Sequence, residues 1–93
     1  MAKTKVTFER IRGEGVDFVN IKIDDQLRNF VNDKAAVMLD RGAAVEVYWR
    51  MAGTPGAKLT IKYTVDGVQQ TAVEDDEIEP HRTRTAFTFI VIP

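Results

Sequence analysis

Apolar and polar residues alternate along several segments of the chain. Residues 58–65 show this most clearly, because Leu59, Ile61, Tyr63 and Val65 alternate with lysines and threonines. A period of two is typical of a β-strand with one buried face, since successive side chains in a strand point to opposite sides. The pattern therefore predicts a strand that packs one face against a core.

A second alternating segment follows this strand after only two residues. Asp66-Gly67 separates residues 58–65 from residues 68–73. The dipeptide Asp-Gly favours a type I′ turn, in which both central residues take a positive φ, and this turn joins neighbouring antiparallel strands. We expect a β-hairpin here.

The tryptophan lies in another alternating segment. In residues 43–51, Trp49 shares a face with aliphatic side chains, as Tyr63 does in the strand described above. Both aromatic residues are therefore expected in the core. Residues 53–56 read Gly-Thr-Pro-Gly, which is typical of a tight turn, so the chain is expected to reverse its direction there.

Both ends of the chain are rich in β-branched and aromatic residues. Residues 4–12 and 16–24 flank a Gly-Glu-Gly sequence at 13–15, and together they predict a second hairpin. Residues 83–92 are apolar on both faces. Such a segment is typical of a central strand or of one that a neighbour covers.

Residues 24–42 allow two interpretations. Apolar residues at helical spacing predict a helix at about 26–41 packed on an antiparallel sheet, which would make the fold α+β (Leu27, Phe30, Val31, Ala35, Met38 and Leu39). However, Asn32-Asp33 favours a turn. The alternation in 35–39 then predicts a short strand that folds at 40–42 onto the strand containing Trp49. We favour the strand.

The elements together predict the architecture. About seven short strands at intervals of about 8–12 residues, with turns between them, indicate an all-β, two-sheet antiparallel sandwich. The Trp49 strand, the Pro-Gly turn after it and the long apolar last strand resemble an immunoglobulin-like or fibronectin type III module. The paired cysteines of antibody domains are absent, and the resemblance implies no site residues.

Length and composition limit the function classes. A chain of 93 residues forms one hydrophobic core, so we expect a single domain over residues 1–93. With 13 basic and 14 acidic residues, the chain has no strong field to attract nucleic acid, and no apolar run reaches the roughly 18 residues that a membrane span needs. We expect neither a nucleic-acid nor a membrane partner. The cysteine-free sequence, which starts without a signal peptide, fits a cytoplasmic location.

An acidic segment is the candidate metal site. Carboxylates occupy five of six consecutive positions (Glu74, Asp75, Asp76, Glu77 and Glu79). Calcium takes six to eight oxygen ligands, so these residues are candidate calcium ligands, although the spacing of an EF-hand is absent. The other interpretation is a solvated loop at 74–82 between two strands, with no cofactor.

The chain has few groups for catalysis. It contains neither serine nor cysteine, and His81, beside the acidic segment, is its only histidine. A nucleophile activated by an adjacent base therefore has almost no residues to draw on. We predict that the protein is not an enzyme, and a hydrolase built on an acidic pair is the least favoured hypothesis.

Four residues are candidates for contact with a partner or ligand. Tyr48 and Arg50 lie on the face opposite Trp49, and His81 and Arg82 follow the acidic segment. We predict a non-catalytic protein-interaction or structural accessory module whose partner is another protein or a second copy of the chain. The alternative is a small lectin-like or calcium-dependent binding domain that uses residues 74–82.

Overall fold

The computed structural model describes residues 2–93, which form eight β-strands and no helix. The strands are β1 (Lys3–Arg12), β2 (Val16–Ile23), β3 (Gln26–Leu27), β4 (Lys34–Asp40), β5 (Ala44–Gly53), β6 (Lys58–Val65), β7 (Val68–Glu77) and β8 (Thr83–Val91). The all-β prediction is therefore confirmed, with eight strands instead of seven.

The strands form two antiparallel sheets of four strands each, packed together as a sandwich. Sheet A has the order β4-β1-β6-β7, and sheet B has the order β3-β2-β5-β8. The predicted two-sheet sandwich is confirmed.

The alternative helix at 26–41 is wrong. Asn32 and Asp33 adopt positive φ angles of 53° and 63°, which a right-handed helix does not allow. They form a turn that brings Val31 and Lys34 together as an isolated bridge before β4 begins. Asn and Asp tolerate this backbone conformation at low cost, so the local turn outweighs the helical spacing of the apolar residues.

The Asp66-Gly67 hairpin is confirmed. Asp66 and Gly67 have φ angles of 51° and 77°, as a type I′ turn requires, and β6 pairs with β7 on either side of them. The same turn chemistry recurs at Asp24 and Asp25, with φ angles of 55° and 61°, where β2 turns into the short strand β3.

The other predicted strand pairings are wrong, because five of the seven connections, including the three in these predictions, cross from one sheet to the other. The segment at 13–15 joins β1 of sheet A to β2 of sheet B, so it closes no hairpin. Strand β4 lies in the sheet opposite β5 and does not pair with it, and the turn at 53–56 leads into sheet A. Each crossing lets both strands bury their apolar faces in the same interior, which hairpin pairing within one sheet does not achieve.

The connection at 13–15 lies beside the connection at 53–56, and backbone hydrogen bonds join the two regions. The Gly13 N–H donates to the Lys58 carbonyl oxygen at 2.8 Å, and the Thr54 N–H donates to the Gly15 carbonyl oxygen at 2.9 Å. A side chain at Gly53 would collide with the Gly15 carbonyl oxygen. Glycine at this position therefore allows the two connections to approach each other.

The core lies between the sheets and is formed by the inward-facing residues of both. Phe8, Met51 and Ile61 are completely buried, and the predicted core residues Trp49 and Tyr63 are only 4% and 5% exposed. Truncation of a buried Trp costs about 3–5 kcal/mol, so Trp49 contributes strongly to the stability of the fold.

Arg41, in the turn between β4 and β5, holds three other segments together. Its guanidinium donates to both carboxylate oxygens of Asp66 at 2.8 and 3.0 Å, to the Pro93 carbonyl oxygen at 3.1 Å and to Thr4 Oγ1 at 3.2 Å. The hydrogen bonds from Arg41 hold the pKa of Asp66 below its usual value. The pair joins the β6–β7 turn to the connection between β4 and β5.

The ion pair between Arg41 and Asp66 is expected to make a pH-dependent contribution to the free energy of unfolding. A carboxyl whose pKa is lowered by folding stabilises the protein above its usual pKa of about 4 and loses that contribution as the pH falls through the lowered value. We expect Asp66→Asn to be less stable than wild type at neutral pH, with a difference that shrinks below about pH 4. Urea unfolding at a series of pH values measures it.

Asp24→Asn is the matched control, because Asp24 occupies the same type of turn position with a positive φ of 55° and shows no ion pair among residues 2–93. Its stability is expected to follow that of wild type at every pH. A stability difference for Asp66→Asn that stays constant through the acidic range would contradict the role of Arg41.

Candidate functional site

The outer faces of the two sheets have different chemistry. Sheet A presents mainly lysines, threonines and a glutamate on its two central strands (Lys5, Thr7, Glu9, Thr60, Lys62 and Thr64). Sheet B presents four apolar or aromatic side chains at one edge: Tyr48, Phe87, Phe89 and Val91. We call these four residues the aromatic band.

The aromatic band is continuous. Tyr48 lies opposite Phe87 in the ladder between β5 and β8. The Phe87 and Phe89 rings meet edge to face, with centroids 5.9 Å apart, and Lys22 Nζ lies 5.6 Å from the centre of the Tyr48 ring. Phe87, Phe89 and Val91 are 60%, 60% and 63% exposed. Isolated exposed apolar residues are ordinary, whereas continuous groups are typical of contact surfaces.

Three of the four residues of the aromatic band lie on an edge strand, which contradicts one of the two interpretations of residues 83–92. Strand β8 pairs only with β5 and has no second neighbour in sheet B, so it is not a central strand. Its inner face, which includes Ile90, packs on the core, and its outer face is bare. Sequence indicates that both faces are apolar, but it does not identify what covers them.

The backbone of β8 has unpaired groups at the same residues. The Ile92 N–H donates to the Ala43 carbonyl oxygen at 3.0 Å, and the Ile92 carbonyl oxygen accepts from the Gly42 N–H at 2.7 Å. In an antiparallel ladder these directions alternate from residue to residue. The N–H and C=O groups of Phe87, Phe89 and Val91 therefore point to the open edge.

Strand β8 lacks the features that protect edge strands from pairing. The edge strand β3 has only two residues, and the edge strand β7 has two register shifts and several exposed carboxylates. By contrast, β8 runs for nine residues in unbroken register, and its one charged residue, Arg84, points inward. The fourth edge strand, β4, also runs in unbroken register, but it has seven residues and a charged residue at each end, Lys34 and Asp40. Natural sheets usually protect an edge by shortness, charge or bulges, so β8 is the longest edge that remains open to pairing.

The acidic segment is mainly strand and not loop. Strand β7 extends to Glu77, so the predicted loop at 74–82 begins only at Ile78. Asp75 has a positive φ of 49° beside a register shift, and Asp76 turns towards the interior. The Asp76 carboxylate accepts a hydrogen bond from Trp49 Nε1 at 2.8 Å and two from the Arg84 guanidinium at 3.1 Å each.

We call Trp49, Asp76, Arg84 and Glu79 the polar seal, because they join β7 of sheet A to β5 and β8 of sheet B. Arg84 Nη1 also donates to Glu79 Oε1 at 2.9 Å. Hydrogen bonds from its guanidinium to Asp76 and Glu79 raise the pKa of Arg84 and keep it charged. Sequence reasoning missed this group. The available signal was Trp49, which the sequence places in the core. A buried indole N–H needs a hydrogen-bond acceptor, and a nearby carboxylate can supply it.

The carboxylates that were predicted as calcium ligands are spread over different positions. Glu74, Asp75 and Glu77 are exposed on β7, and Lys58 Nζ lies 3.8 Å from Glu77 Oε1. Asp76 and Glu79 bind Arg84, as described above. Within residues 2–93, no group of three or more His, Asp or Glu side chains is arranged to hold a metal ion. Calcium binding stays a prediction.

The residues that were predicted to contact a partner lie in two places. Tyr48 and Arg50 are on the outer face of sheet B, where Tyr48 belongs to the aromatic band and Arg50 lies opposite Thr85. His81 and Arg82 are exposed in the loop between β7 and β8, and His81 Nδ1 lies 3.5 Å from Glu79 Oε2. Sequence reasoning did not include Phe87, Phe89 and Val91, because it treated β8 as a covered strand.

Comparisons with known proteins find no matching family model, no matching curated protein and no matching solved structure. In the part of the chain that the structure describes, no helix has the length and apolar character to cross a membrane. The chemistry of the aromatic band and of the β8 edge is therefore the basis for a functional proposal.

The polar seal predicts that two neighbouring carboxylates differ in their effect on stability. Asp76→Asn keeps one acceptor but removes the charge that binds Arg84, so we expect a loss of about 1.5–3 kcal/mol in the free energy of unfolding. Asp75→Asn is the matched control, because Asp75 is exposed and Asn tolerates its positive φ, and we expect a change within about 0.5 kcal/mol. Chemical denaturation followed by Trp49 fluorescence measures both. Equal losses would contradict a structural role specific to Asp76.

Proposed function

We propose that this protein is a non-catalytic protein-interaction or structural accessory module that binds an extended strand of its partner along β8. One observation carries the proposal. On β8, the residues whose apolar side chains are exposed, Phe87, Phe89 and Val91, are the same residues whose backbone groups point to the open edge.

This coincidence matches how a sheet edge binds an extended peptide. The main-chain hydrogen bonds of an added strand supply affinity, and alternate side chains supply specificity. A strand paired with β8 would place every second side chain beside the aromatic band. Burial of apolar surface there contributes roughly 25 cal/mol for each Å² removed from water.

The arrangement of the polar groups supports a non-catalytic role. The sequence has no serine or cysteine nucleophile, and His81 is the single histidine. The carboxylates of Asp76 and Glu79 both bind the guanidinium of Arg84, which engages them in structural contacts. The likeness to immunoglobulin modules and the cytoplasmic location remain predictions from the sequence.

Selection of extended peptides from a displayed random library tests the proposal. We expect wild-type protein to retain peptides with alternating apolar residues and Phe87→Thr/Phe89→Thr to lose at least about tenfold in affinity for them. Since both phenylalanines are 60% exposed, the double variant should fold with nearly unchanged stability. Fluorescence titration with the selected peptides measures the affinities.

Ile11→Thr/Met38→Thr is the matched control, since Ile11 and Met38 are 44% and 55% exposed on sheet A. This variant should bind the selected peptides as wild type does. A monomeric wild type that selects no peptide, or equal binding by the Phe87→Thr/Phe89→Thr variant, would overturn the proposal.

A further inference from the structure

We infer that the partner of β8 is a second copy of the same chain, paired antiparallel about a two-fold axis at Thr88. The inference rests on the proposed function, because it uses the same surface and names its occupant. The two B sheets would join into one sheet of eight strands. Such a contact is isologous, so the same residues contribute from both copies.

The directions of the backbone groups define the register. Thr88 has its N–H and C=O towards β5, so two copies of Thr88 can lie opposite each other without hydrogen bonds between them. Phe87 then lies opposite Phe89 of the second copy, and Thr85 lies opposite Val91 of the second copy. Four such pairs, each exchanging both hydrogen bonds, give about eight hydrogen bonds between the copies.

The side chains are self-complementary in this register. From Thr85 to Val91, β8 contains no charged residue, so no like charges meet when two copies pair. Each phenylalanine meets a phenylalanine of the other copy, and aromatic cross-strand pairs stabilise antiparallel sheets. A second copy therefore supplies the apolar neighbour that the outer face of β8 lacks.

The charges around the aromatic band lie at the outer ends of the contact in this arrangement. On one copy, the row across the outer face runs from Lys22 to Tyr48 and then to Phe87. It continues with Phe89 of the second copy and then with Glu46 of the second copy, because Glu46 lies opposite Phe89 in the ladder. Each row thus begins with a cation and ends with an anion about 19 Å away, and it is apolar between them, so no like charges meet in the contact.

The mass in solution tests the pairing. We expect light scattering after gel filtration to show a dimer of wild type over a range of micromolar concentrations. Thr85→Pro removes an N–H that points to the open edge and leaves the hydrogen bonds to β5 in place. We therefore expect the dissociation constant of the dimer to rise at least about tenfold. Thr85→Val, which keeps the N–H, is the control and should remain dimeric. A monomer at all concentrations, or an unchanged dimer in Thr85→Pro, would overturn the inference.

Introduced cysteines test the register, because the natural sequence has none. Opposite each other in a pair without hydrogen bonds, two copies of residue 88 have Cα atoms about 4.5 Å apart, within the range of a disulfide. The two copies of residue 85 lie six residues apart along the strands, or about 20 Å. We expect oxidation to cross-link Thr88→Cys and to leave Thr85→Cys uncross-linked. The reverse result would overturn this register.

Failure of this inference differs from failure of the proposed function. A wild-type monomer that binds extended peptides through Phe87 and Phe89 would overturn the pairing of two copies and leave the function in place. A dimer that the Phe87→Thr/Phe89→Thr substitution dissociates would support both.

Discussion

Each strand of this protein has to bury one of its two faces, and that requirement organises the molecule. Alternate residues of both sheets, Phe8 and Met51 among them, fill one shared interior. Five of the seven connections cross between the sheets, because the strands they join then pack their apolar faces against each other. A sandwich of two layers leaves two outer faces uncovered. The outer face of sheet A is mainly polar, whereas the β8 edge of sheet B is apolar and exposed to solvent.

The polar seal connects the stability of the core to the chemistry of that edge. Asp76 of sheet A binds Trp49 and Arg84 of sheet B, so it gives the buried indole N–H an acceptor and joins the two layers where β7 ends and β8 begins. The same contact draws the guanidinium of Arg84, the only charge on β8, away from the open edge. The remainder of β8 is uncharged, and its backbone is free to accept another strand.

Much of the fold could be predicted from local patterns. The alternation around Trp49 and Tyr63 correctly placed both in the core, and Asp66-Gly67 correctly predicted the one long hairpin. The candidate site was predicted only in part. Tyr48 was identified because alternation placed it outside, but Phe87 and Phe89 were not, because an apolar outer face has the same pattern whether a neighbouring strand covers it or water does. The structural role of Asp76 was missed because consecutive acidic residues favour a solvated loop.

The sequence by itself determined most of the strands, which of their sides is apolar and where the turn between β6 and β7 occurs. These properties depend on backbone sterics and on residues close together in the chain, such as Asp66 and Gly67. Only the tertiary structure decided which strands pair, that β1 joins β4 and β6 while β2 joins β3 and β5, and that β8 lies at an edge. Pairing joins residues far apart in sequence, and the free energy that selects one arrangement comes from burial of both sheets' faces in the same core.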